Sequence, residues 1–161
     1  MKNVYLAGGC FWCITPVFYD MEGVKEVISG YSGGEVENPT YEQVKSQTTG
    51  HREAVKVVYD EAKVSYGELL DVFLNSVDPF DDGGQFIDRG HSYTLAVFYN
   101  DEEEKNIACA KIKEIEEMSG KKTFIEVCAY SNFYAAEEYH QDYFRKNPEA
   151  FEKEMKESGR I

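Results

Sequence analysis

Two adjacent glycines behind a short apolar run constrain this chain more than any other feature. Val4-Tyr5-Leu6-Ala7 reads as a strand, alternating or wholly buried. Gly8-Gly9 then permits a tight turn out of the strand and into a helix. Cys10 falls at or near the first turn of that helix, beside backbone N–H groups that lack an intrahelical acceptor. Those donors and the positive helix end predict a Cys10 thiol with a lowered pKa. Phe11 and Trp12 suit an apolar wall around a small substrate. The ordinary reading of Cys10 and Cys13 is two small buried hydrophobes. It weighs less on Cys10, which the turn places at the end of an element.

A chain of 161 residues supports one domain, 1–161, with its own core. The 42% hydrophobic content excludes disorder as the main state. A net charge of −13 argues against nucleic acid and against an anionic membrane as partner. It also favours a monomer that repels its own copies. No stretch resembles a membrane span or a secretory leader, so the expected location is cytoplasmic. Cys10, Cys13, Cys109 and Cys128 do not form the pattern of a secreted disulfide scaffold. With only His51, His91 and His140 beside them, no metal and no cofactor are expected.

Along the chain, Ile14, Val17, Phe18 and Met21 extend the first helix over 10–21, with Pro16 tolerable because it lies near the start. A strand over 24–31 follows, then a loop to Pro39 and a short helix over 41–47 capped by Thr40. The strand over 53–60 has the clearest alternation. Ser65 and Glu68 make a capping box for the helix that carries Leu69, Leu70, Phe73 and Leu74. Residues 78–90, rich in Asp and Gly, lack any hydrophobic period and read as a long ordered loop, a common seat of function. A strand over 93–99 leads to a helix over 102–119, capped by Asp101, with Ile107, Ala110, Ile112, Ile115 and Met118 as its apolar stripe. The last strand covers 123–129, and an aromatic segment over 133–144 precedes a helix after Pro148. Five strands interleaved with helices predict an α/β sandwich with helices laid on the sheet.

Three places outside the cysteine segment carry usable chemistry. Glu53 begins the strongest strand, where burial raises a carboxyl pKa and makes it an acid. Asp88 and Tyr93 flank the end of the long loop, and Tyr41 opens a short helix; phenols are neutral donors to an oxygen that gains charge. Glu53 also reads as an ordinary ion-pair carboxylate and Asp88 as a turn residue. His51, His91 and His140 read as hydrogen-bonding residues, and Tyr134 and Tyr139 as packing. Cys109 and Cys128 read as buried apolar cysteines.

Taken together, these segments make the chain similar to the peptide methionine sulfoxide reductase A family. The resemblance rests on Gly8-Gly9-Cys10-Phe11-Trp12, Gly30-Tyr31-Ser32-Gly33-Gly34, Pro39-Thr40-Tyr41, Thr49-Gly50-His51-Arg52-Glu53-Ala54-Val55, the 78–93 loop, Phe133-Tyr134 and Ala136-Glu137-Glu138-Tyr139-His140-Gln141. It implies an α+β two-layer sandwich with a ferredoxin-like core, extra helices and long ordered loops. It implies reduction of the S-diastereomer of methionine sulfoxide, free or in proteins, with Cys10 attacking sulfur and passing through a sulfenic acid. Glu53 matches the proton donor, Tyr41 and Tyr93 the oxygen-binding phenols, Asp88 the pocket aspartate, and Phe11 with Trp12 the pocket for the substrate methyl. Many members carry a resolving cysteine in a glycine-rich C-terminal tail, whereas this chain ends Ser158-Gly159-Arg160-Ile161 without one. Members often have glycine at the position of Cys13 and glutamate at that of Thr15, and a subset has cysteine where Cys13 stands.

Cys13 is therefore the expected internal resolver, three residues from Cys10. The competing expectation is direct attack on the sulfenic acid by glutathione, glutaredoxin or thioredoxin. Other function classes remain open from the residues alone: a thioredoxin-like dithiol oxidoreductase using Cys10 and Cys13, a cysteine hydrolase with His51 as base, or a sulfoxide-binding sensor without turnover.

Overall fold

The computed structural model describes residues 1–158; the final three residues of the expected 1–161 domain lie outside it. A six-stranded sheet organises the chain. Its strands are β1 (Lys2–Gly8), β2 (Val24–Ser32), β3 (Arg52–Tyr59), β6 (Leu95–Tyr99), β7 (Ile125–Ala129) and β8 (Tyr134–Ala135), in the order β7-β6-β1-β3-β2-β8. All neighbours run antiparallel except β6 and β7. That parallel pair is joined, as such a pair requires, through a helix, α5 (Glu102–Ser119). The remaining helices are α1 (Phe11–Ile14), α2 (Pro16–Tyr19), α3 (Tyr41–Lys45), α4 (Tyr66–Asn75), α6 (Tyr143–Lys146) and α7 (Pro148–Ser158).

Strand alternation sorts the sheet into two faces. Leu6 lies opposite Val55 of β3 and Val97 of β6. These residues join Val4, Val57, Phe18, Leu69 and Phe73 in the main core under the helices. Tyr5, Ala7, Ala54, Ala96 and Phe98 point to the other face, where Cys128 and Phe133 pack and Tyr130 stacks on Tyr5 at 4.2 Å. The expected two-layer α/β sandwich is what forms.

Several boundaries shift for local physical reasons. The helix expected over 10–21 divides into α1 and α2, because Pro16 has no N–H to donate back to the preceding turn. Thr15 keeps helical dihedrals at the break, and its Oγ1 donates to the Phe11 carbonyl at 2.5 Å. Tyr93 belongs to a 3₁₀ turn over His91–Tyr93, so β6 begins at Leu95. The final long strand starts at Ile125 rather than Thr123, and the two-residue β8 has no period for a sequence to show. On α5 the buried line runs through Glu104 and Ala108, while Ala110 is exposed and Met118 is 82% exposed. Cys109 is exposed and Cys128 half-buried, against the expectation of two buried cysteines.

The expected caps at Thr40, Ser65 and Asp101 each accept the N–H three residues on, and the Thr40–Gln43 and Ser65–Glu68 boxes are complete. The 78–90 loop is ordered from within. It contains the hairpin β4 (Gly84–Gln85) and β5 (Asp88–Arg89), the buried Gln85 amide donates to the Asp78 and Gly84 carbonyls, and Arg89 grips Asp81 with two hydrogen bonds of 2.6 and 2.7 Å. Gly84 has φ +141°, and a Cβ there would meet the Asp88 carbonyl at 2.2 Å. A side chain at Gly84 would thus displace Asp88.

Candidate active site

The β1-to-α1 turn delivers Cys10 as the N-cap residue of α1, 7% exposed. β3 lies beside β1, and its second residue is Glu53, which is 2% exposed. The Phe11 N–H donates to Glu53 Oε1 at 3.1 Å. The carboxyl group therefore takes the anion-seeking donor at the start of α1, and α1 is only four residues long. This overturns the expectation of a low-pKa cysteine. The Cys10 thiol is instead pushed well above its usual value by its hydrogen bond with Cys13, by burial, and by the charges of Glu53 and Asp88.

Glu53 itself is raised to about 8, chiefly by burial, with the charge of Asp88 adding to it and the Phe11 N–H opposing it. It carries its proton at neutral pH. A carboxyl whose folded pKa exceeds its unfolded value binds a proton in the native state that the unfolded chain releases. Stability accordingly falls as pH rises from 4.5 through about 8. Glu53→Gln keeps an acceptor for the Phe11 N–H and removes this titration. It is expected to be more stable than the parent by about 3 kcal/mol at pH 7. Denaturant melts across that window check it: the gain shrinks to nothing near pH 4.5.

Two phenols complete the polar wall. Tyr93 lies beside both Glu53 and Tyr41, and burial pushes Tyr41 up to about 12 and Tyr93 higher still, so both remain neutral donors. Tyr41 sits at the start of α3, where its N–H donates to Glu137 Oε2 at 3.0 Å; the other oxygen of Glu137 accepts from Tyr31 at 2.9 Å. Asp88, on β5, contributes its charge to Glu53 and Cys10.

Phe11 and Trp12 form the aromatic side. The Trp12 indole N–H donates to His140 Nδ1 at 3.0 Å, and its ring stacks on Tyr143 at 4.0 Å. His140 is 1% exposed and lies against the rings of Phe11, Trp12, Tyr41 and Tyr139. Burial lowers its pKa, so it stays neutral and can accept from Trp12. His140, Tyr143 and Glu137 thus support the site: His140 is the hydrogen-bonding residue expected of it, while Tyr143 and Glu137 carried no individual expectation. Their signals were the aromatic density of this segment and, for Glu137 and His140, the 136–141 stretch that carries the resemblance.

The other candidates take plainer places. His51 is an acceptor for the Gly34 N–H at 3.0 Å through Nδ1, and its Nε2 meets the Val36 carbonyl at 2.7 Å. With both ring nitrogens engaged, it is no base for a hydrolase. His91 meets the Gly50 carbonyl at 3.0 Å, Tyr134 is half-buried, and Tyr139 is exposed. Cys13, 3% exposed, clusters with Cys10 and Tyr93. Cys128 faces the opposite side of the sheet and Cys109 the outside of α5. Among the described residues no group of three or more His, Cys, Asp or Glu is placed to hold a metal ion, and no helix is long and apolar enough to cross a membrane.

A paired thiol facing a proton-bearing carboxyl and two neutral phenols, on this sandwich, defines a cysteine-based oxidoreductase. The family described as peptide methionine sulfoxide reductase matches residues 2–160. Peptide methionine sulfoxide reductase MsrA 2 of Staphylococcus aureus strain MW2 is 47% identical over 157 residues, covering 96% of this chain and 89% of that protein. The MsrA of Ligilactobacillus salivarius is 50% identical over 147 residues, covering 90% and 86%. Reduced Mxr1 from Saccharomyces cerevisiae superposes with a TM-score of 0.86 at 29% identity, covering 92% of this chain and 86% of Mxr1. The chain belongs to the peptide methionine sulfoxide reductase family, and its reaction is the reduction of methionine sulfoxide.

Proposed function

We propose that the protein, acting as one catalytic domain, reduces the S-diastereomer of methionine sulfoxide with Cys10 as nucleophile and Cys13 as resolver. The observation that carries this reading is Glu53, a carboxyl that holds its proton at neutral pH beside Cys10. The substrate methyl packs between Phe11 and Trp12, and the sulfoxide oxygen accepts hydrogen bonds from Tyr41, Tyr93 and Glu53. Cys10 attacks sulfur as its thiolate. Glu53 gives its proton to the oxygen and recovers the one that Cys10 sheds. The sulfoxide sulfur is reduced by two electrons, methionine leaves, and Cys10 becomes a sulfenic acid. Cys13 then attacks Cys10, the S–S bond forms, and the hydroxyl departs as water with the Cys13 proton. The charge of Asp88 helps hold the proton on Glu53.

Cys13 is favoured as resolver because it alone among the other cysteines shares the Cys10 cluster. Returning a buried disulfide to two thiols suits a dithiol reductant of the thioredoxin type better than glutathione or a glutaredoxin acting through one thiol. Four thiols suit a cytoplasmic setting, and the acidic surface suits a monomer. Exposed Phe86 and Ile87 beside Asp88 offer apolar contact to an oxidised polypeptide as well as to free methionine sulfoxide.

Cys13→Ser tests the resolver. The variant is expected to yield methionine in its first turnover and to end with one added oxygen on the protein. The parent ends two hydrogens lighter. A variant that still loses two hydrogens assigns resolution to another cysteine.

A further inference from the structure

The C-terminal helix α7 is seated at the thiol pair. Met155 on α7 is half-buried and packs against the cluster of Cys10, Cys13 and Tyr93. It also lines, with Cys13, Val17, Val77 and Phe86, a cavity of about 320 Å³ between α1, α4 and the β4–β5 hairpin. Burial and the charge of Asp88 raise the neighbouring Glu154, which places this turn of the helix at the rim of the site. The Met155 side chain is thus packed against the cluster that acts on methionine sulfoxide, with free volume alongside for an added oxygen. The other methionine with a defined exposed position on a helix, Met118, stands 82% exposed on α5.

We propose that Met155 is a substrate of its own chain: once oxidised by a peroxide, its S-sulfoxide is reduced in cis by Cys10, and Cys13 closes the disulfide. The inference rests on the reductase reading above. In the first step the peroxide O–O bond breaks, one oxygen passes to the Met155 sulfur, and the other leaves as water. In the second the Met155 S–O bond breaks, Met155 returns to a thioether, and Cys10 is oxidised to the sulfenic acid. In the third Cys13 displaces that hydroxyl as water. The net change is two thiols and one peroxide converted to a disulfide and two waters, so the chain registers peroxide without any external methionine sulfoxide.

The test uses the full chain. Its thiols are blocked reversibly with a methanethiosulfonate, and the protein is exposed to hydrogen peroxide. Excess dithiothreitol then unblocks the thiols and starts the reaction. The sulfoxides at Met155 and Met118 are followed by peptide mass spectrometry at two protein concentrations a decade apart. Free methionine S-sulfoxide turnover is measured in the same sample. The S-epimer at Met155 is expected to disappear at a rate unchanged by dilution, while that at Met118 slows in proportion; Cys10→Ser leaves both. The inference is overturned if loss at Met155 also scales with dilution, or if its sulfoxide persists while the free S-sulfoxide is consumed. A Met155 that stays a thioether under peroxide that converts Met118 overturns it equally. Failure to consume free S-sulfoxide brings down the reductase reading itself.

Discussion

Cys10→Ser is expected to abolish methionine formation, with a loss on the order of 10⁴-fold or more in single-turnover rate. A hydroxyl in the same buried place ionises far less readily than the thiol and gives no stable sulfenic counterpart. The fold has little reason to suffer: Cys10 is an N-cap that makes no side-chain capping hydrogen bond, and serine is a preferred residue at that position. Methionine release and a thermal melt on the same sample check both halves. An unfolded variant would be uninformative about chemistry; a folded and active one would remove Cys10 from the mechanism.

Glu53→Gln carries the second large effect. General acid catalysis of this kind is worth roughly 10² to 10⁴-fold, and the amide retains the hydrogen bond with Phe11 while having no proton to give. For the parent, activity requires the protonated carboxyl, so kcat/KM is expected to fall as pH rises through about 8. That descending limb should be missing from the residual activity of the variant. The same substitution is the one argued above to stabilise the protein. Loss of rate together with gain in stability is the signature of a carboxyl buried for chemistry rather than for folding. A variant that keeps both the rate and the limb would place the proton elsewhere, with Tyr41 and Tyr93 the next groups to test.

How far the sequence reaches can be seen residue by residue. Gly8-Gly9, the alternation of β3, and the caps at Ser65 and Asp101 are local signals, and each appears in the fold where its chemistry places it. The Cys10 pKa could not be read the same way. Its direction depends on Glu53 reaching the Phe11 N–H, a contact between residues 42 apart that exists only because β3 pairs with β1. Glu53 was recognisable as an acid candidate at a strand end, but its proton is held by burial and by Asp88, which arrive with the tertiary fold. The support of Trp12 by His140 spans 128 residues and leaves no periodic trace. On α5, sequence showed an apolar stripe but not that Met118 would fall outside the sheet's cover. The placement of Met155 against the thiols is likewise a product of packing alone.

The most direct measurement of the central claim is a single turnover by fully reduced protein with every external thiol removed. The S- and R-diastereomers of methionine sulfoxide are supplied separately, methionine is quantified, and the intact mass is taken. One equivalent of methionine is expected from the S form, none from the R form, and a protein two hydrogens lighter through a Cys10–Cys13 disulfide. No methionine from either diastereomer, with the protein shown to be folded, would contradict the claim.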